Sequence, residues 1–257
     1  MTRKLTVLLA AAVLGLAAGA QAAPTRVTVR VIAKGAKFIG TSIGGARVVL
    51  RDADTGAILA SGVTSGSTGD TARIMKEPRA RGGVLSSEGS AAYTAVLDID
   101  RPVLVEADAT GPLAARQSAN RVTATQWVVP GKDLTGGDAW LLEMPGFMVD
   151  VLAPPTHSRA GNAPVSVPIA ANVTMMCGCP LTPGGLWDAD VIQVRALVSR
   201  DGVPVGEVPL AYAGTASQFA GTVNASEPGE YEVTVYAYDP RDGNTGLDHA
   251  TFIIGKE

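Results

Sequence analysis

Short apolar runs alternate with polar residues along most of the chain, and turn residues separate them. Val27, Val29 and Val31 alternate with Thr28, Arg30 and Ile32, which predicts a strand with one uniformly apolar face. Ala46 to Arg51 and Ala57 to Ala60 flank Asp52-Ala53-Asp54-Thr55-Gly56. Asp offers side-chain bonds to the backbone there and Gly accepts a positive φ, so the segment reads as a hairpin. Ala92 to Ile99 and Val103 to Ala107 form a second strand pair joined at Asp100-Arg101-Pro102. Between the pairs, residues 65–90 are rich in Gly, Ser and Arg without an apolar period, and are expected to be a long mobile loop.

Residues 118–152 carry Trp127, Trp140 and Phe147 and are expected to complete a first sandwich over 25–152. Ala153-Pro154-Pro155 to Pro164 is the linker candidate, because proline disfavours both helix and sheet. From Val165 to the C-terminus at 257, strands recur at intervals that suit one further sandwich: Val191 to Val198, Gly206 to Tyr212, Phe219 to Val223, Glu230 to Tyr238 and Ala250 to Ile254. The fold class is therefore all-β, two antiparallel sandwiches in series.

Two stretches add family resemblance. Gly45 to Gly56, with Tyr93-Thr94-Ala95-Val96-Leu97 and Val103-Leu104-Val105-Glu106-Ala107, resembles the carboxypeptidase regulatory-like, or transthyretin-like, β-sandwich family. Glu227-Pro228-Gly229-Glu230-Tyr231-Glu232-Val233-Thr234-Val235-Tyr236-Ala237-Tyr238-Asp239 resembles the late strands of bacterial immunoglobulin-like domains, with Tyr231, Val233 and Val235 on one face. Both resemblances imply accessory modules for binding or assembly rather than catalysis.

The N-terminus changes the picture of where the chain works. Arg3 and Lys4 precede an apolar run from Leu5 to Gly19, and Ala20-Gln21-Ala22 is a small-x-small cleavage pattern. The run is shorter than the roughly 20 residues of a membrane span. It reads as a secretory signal over residues 1–22, so the protein is expected in the periplasm or outside the cell. Removing the leader takes away two positive charges and carries the formal charge from −3 to −5. An acidic chain has no electrostatic footprint for nucleic acid.

Chemistry concentrates in one place. Both cysteines lie in Met175-Met176-Cys177-Gly178-Cys179, and the only histidines are His157 and His249. Thiolate and thioether sulfurs favour Cu(I), so Met175, Met176, Cys177 and Cys179 are candidate copper ligands, with His157 or His249 as an imidazole if the fold brings one close. The alternatives are a Cys177–Cys179 disulfide, with Gly178 supplying the backbone freedom, or reduced structural cysteines. Oxygen-bearing residues 239–248 suit calcium or a plain hairpin turn. Arg73, Lys76, Arg79 and Arg81 form a small basic patch in the long loop. The leading expectation is a non-catalytic protein that binds or assembles a cell-envelope partner. Copper binding or delivery is second, and an enzyme with a site between the domains is third.

Overall fold

The computed structural model describes residues 23–256, so the leader lies outside the described residues. Strands β1 (Ala23–Ala33), β2 (Arg47–Asp52), β3 (Ile58–Val63), β4 (Tyr93–Ile99), β5 (Val103–Gly111), β6 (Asn120–Val128) and β7 (Trp140–Met144) build the first sandwich, with one short helix, α1 (Thr71–Met75). Its sheets run β4-β1-β7 and β3-β2-β5-β6. Val27, Val29 and Val31 are fully buried against Val48, Leu50, Val105 and Ala107 of the facing sheet, as the alternation predicts. The β2–β3 hairpin also forms, and Asp52 Oδ1 accepts from the amides of Asp54 and Thr55 across its turn. The pair β4 and β5 behaves differently. Pro102 ends the first run, and the two strands pass into opposite sheets, β4 beside β1 and β5 between β2 and β6.

Residues 65–90 are not a free loop. Bridges Ser65–Ala92 and Ser67–Ser90 close its base, and α1 drops Ile74 into a small second core with Ile32, Phe38 and Ala91. Asp70 caps α1 by accepting from the Arg73 amide, and the Arg73 guanidinium donates to Ser86 O. Asp138 anchors the return path, its carboxylate accepting from the amides of Leu85 and Ser86. The apolar positions here are too few to show a period, yet they suffice to cover the outer face of β1. Only the tip, residues 76–84, is exposed throughout.

The second sandwich comprises β8 (Phe147–Ala153), β9 (Ser158–Asn162), β10 (Val165–Met175), β11 (Gln193–Arg200), β12 (Val203–Pro209), β13 (Ala211–Tyr212), β14 (Gln218–Ala225), β15 (Gly229–Asp239) and β16 (Asn244–Gly255). Its sheets run β13-β14-β10-β8 and β12-β11-β15-β16-β9. This is the immunoglobulin strand order, four strands facing an extended second sheet. A tyrosine corner supports the assignment: Tyr231, near the start of β15, donates through its hydroxyl to Glu227 O at 2.9 Å. Tyr231 also stacks on Phe252, and Val233 and Val235 beyond it are fully buried.

The expected linker at 153–164 is corrected. β8 pairs with β10 and β9 pairs in parallel with β16, so that segment lies inside the second sandwich. Pro154 and Pro164 bracket β9 rather than interrupt it, so all five residues of the strand keep their backbone donors. The handover between sandwiches is Pro145-Gly146 alone.

So short a handover presses the sandwiches together. The 116–120 strap of the first lies along the free edge of β8, and the Ser118 hydroxyl donates to Val149 O and accepts from Val149 N. Asp248 takes the next edge amide, Val151 N, at 2.8 Å. These bonds occupy an edge that would otherwise be open to another strand. On the opposite flank, Trp187 Nε1 donates to Gly35 O at 3.0 Å and Lys34 Nζ to Asp242 O at 2.9 Å.

Candidate functional site: the disulfide turn and the sandwich junction

The end of β10 and its connection to β11 carry every sulfur candidate and face the first sandwich. Cys177 and Cys179 are joined by a disulfide, with Cα atoms 5.4 Å apart. Gly178 turns between them at φ +77°, held by its amide to Met175 O, while Met175 N donates to Cys179 O. A Cβ on Gly178 would meet Ile43 Cγ2 of the first sandwich at 2.7 Å. Both cysteines are buried, so the turn is a contact surface of the junction.

The candidate copper ligands are not gathered. Neighbouring residues on a strand point to opposite faces, and Met175 and Met176 diverge accordingly. Met176 packs its thioether over Gly146, whereas Met175 lines a cavity between the sandwiches. The histidines stand elsewhere. His249 lies five residues along β16 from Asn244, roughly 16 Å at the rise of a strand. His157 is exposed and shares a 2.9 Å hydrogen bond between Nδ1 and Thr251 Oγ1. Among the described residues no three His, Cys, Asp or Glu side chains group as a metal set. Residues 239–244 form the β15–β16 hairpin turn, where Arg241 grips Asp239 at 2.7 Å and Asp242 Oδ1 accepts from Asn244 N. The Arg241 guanidinium holds the Asp239 carboxyl below its ordinary range.

The junction instead assembles residues that sequence reasoning passed over. The cavity beside the turn, about 250 Å³, is lined by Met75, Met175, Leu186 and Trp187, with Lys34 and Arg241 at its rim. Met75 reaches it from the loop that was expected to be mobile. Asn244 holds the handover peptide, its amide donating to Gly146 O and accepting from Gly146 N. A larger groove, about 460 Å³, opens between the 116–120 strap and the outer face of β11, β15 and β16. Leu197, Thr234, Tyr236 and Leu247 line the sheet side, with Gln117 and Asn120 opposite. At its edge Glu207 accepts from both Tyr236 Oη and Arg195 Nε at 2.6 Å, which lowers the Glu207 carboxyl and raises the Tyr236 phenol. Beside the strap, burial and then the charge of Asp248 push the Asp150 carboxyl up, while Gln117 donates to it and partly offsets that rise. None of these residues forms a sequence motif. They meet through contacts separated by up to 208 positions.

No protein-family model matches the chain, and no curated protein matches it. Among solved structures, the fibronectin(III)-like modules of Clostridium thermocellum CbhA align at 14% identity over 90% of this chain and 91% of theirs, with a TM-score of 0.31. The titin domains Z1Z2, solved with telethonin, align at 12% identity over 92% and 98%, with a TM-score of 0.28. An engineered protein aligns at 18% identity and a TM-score of 0.32 over 46% of this chain, which spans only 22% of that protein's length. Scores this low carry no argument by themselves. The strand order, the pairing and the tyrosine corner make the chain an all-β protein of two sandwiches, the second immunoglobulin-like.

Proposed function

We propose that the protein is a non-catalytic accessory module of the cell envelope, exported to the periplasm by its leader, that binds and positions a protein partner. The observation that carries this reading is the locked junction. Two sandwiches tied by Ser118, Gln117, Trp187 and Lys34, with Asn244 holding the handover peptide, present their surfaces in one fixed arrangement. A pre-organised surface loses little freedom on binding, which favours affinity. The first sandwich serves in the manner of a transthyretin-like accessory domain. Immobilised mature protein should capture a saturable partner from the envelope of its own cell, released by excess soluble protein. Capture of nothing that soluble protein displaces would overturn the reading.

One observation favours a second role in copper binding. Met75 and Met175 line the same cavity and Cys177 follows Met175 by two residues, so reduction of the disulfide would add soft thiolates to a region that already holds two thioethers. Reduced protein should then bind one equivalent of Cu(I), about tenfold more weakly in Met75→Leu, where one tenfold step is about 1.4 kcal/mol. Reduced wild type that fails to compete with a Cu(I) chelator would remove this role.

A further inference from the structure

The groove between the 116–120 strap and the five-stranded sheet combines three properties. It is apolar where it is deepest, with Leu197 and Leu247 about half exposed on either side of Tyr236. Registers set Arg195, Tyr236 and Leu247 in one cross-strand row, and Leu197, Thr234 and His249 in the next. The groove therefore runs across the strands rather than between them. One wall is set by close backbone packing: a Cβ on Gly246 would lie 2.2 Å from Phe147 O, so β16 can pass against the start of β8 only as glycine.

Charge is the second property. The lining contains no ionised side chain. The sandwich that supplies its sheet wall is acidic, with eleven Asp and Glu against five Lys and Arg over 147–256. Residues 23–146 carry the opposite bias, fourteen basic against twelve acidic. Glu232 and Glu230 stand exposed farther along the same sheet face, while Arg195 is already paired with Glu207 and Arg121, next to Asn120, with Asp108.

The third property is satisfaction of the polar rim. Tyr236 Oη is spent on Glu207, Asn120 Nδ2 on Pro145 O and Gln117 Nε2 on Asp150. These groups offer an entering molecule shape and apolar contact rather than free hydrogen bonds. A hydrophobic pocket with an acidic sheet wall selects an apolar anchor flanked by positive charge.

We infer that this groove is the docking site for a protein segment bearing a bulky apolar side chain between basic residues. The inference rests on the partner-binding reading above and names the surface and the chemistry of its partner. The probe is a seven-residue amidated peptide with Leu-Trp-Leu between two lysines on either side, titrated by the fluorescence of a dye on its N-terminus. Wild type should bind it saturably. The pair Leu197→Ser/Leu247→Ser should bind about tenfold more weakly, because two side chains lose their apolar contact. Both leucines are half exposed, so the pair should unfold at the wild-type temperature. Val96→Ser, an exposed position on the first sandwich, should bind like wild type. Glutamate in place of the four lysines should weaken binding about tenfold at low salt, with the difference shrinking as salt screens the field.

Equal binding to the leucine pair, indifference to the sign of the peptide's charge, or failure to saturate would each overturn the groove as the site. The envelope capture separates this failure from failure of the partner reading. A partner still captured by Leu197→Ser/Leu247→Ser leaves the partner reading standing and removes the groove.

Discussion

Asp150 sits where its own charge is unwelcome. Its folded value is raised by burial and by Asp248, so the protonated form favours folding. That contribution is fully present below the unfolded value near pH 4 and is lost as pH rises through the folded one. Asp150→Asn should therefore melt higher than wild type at pH 7, and the gap should close toward pH 4. Asp239 has the opposite sign. Arg241 lowers it, so its contribution is present above pH 4 and is lost as pH falls through the folded value. Glycines set a second limit at this scale. Gly178→Ala combines a left-handed φ with a clash at Ile43, and should cost about 1–3 kcal/mol in chemical denaturation. The sequence already marked Gly178 as the residue that lets the two cysteines meet. Its fit against the first sandwich was hidden, because Ile43 lies 135 positions away.

Strands with strict alternation were legible because burial of one face enforces a period of two. β4, β10 and β15 follow that rule closely. Residues 65–90 and 153–164 were misread for a common reason: their structure comes from a few long-range anchors and not from local pattern. Ile74 alone from α1 is fully committed to the small core, and Asp138 holds the returning chain by two backbone amides. Asp138→Ala would leave those amides unpaired, at about 1–3 kcal/mol. The visible result should be faster trypsin cleavage at Lys76, Arg79 or Arg81, while sites in the second sandwich remain protected. β9 shows the same limit. Five residues with little apolar character become a strand because β16 provides an edge to pair with.

The whole molecule behaves as a pair of sandwiches with a shared wall. A buried cluster runs without interruption from Val27 to Ile254, so calorimetry should show one unfolding transition. The disulfide adds little to it. Closing so small a loop removes only about 1–2 kcal/mol of chain entropy from the unfolded state, and Cys177→Ala/Cys179→Ala should lower stability by about that amount. Composition foretold the sandwiches through abundant glycine and proline at turns, but the junction was beyond it. Polar residues such as Asn244 and Ser118 look like ordinary surface until the fold sets one on the handover peptide and the other against the free edge of β8.

The covering of β8 also fixes an order of events as the chain emerges. The first sandwich has all its strands once residue 144 has emerged, yet Asp248, which covers the next edge amide of β8 from β16, and Asn244, which holds Gly146, follow about a hundred residues later. Until then the edge of β8 has only Ser118 to cover it. The junction is therefore the last part of the molecule to close, and the interval before it closes is when a neighbouring chain's strand has its best chance to intrude.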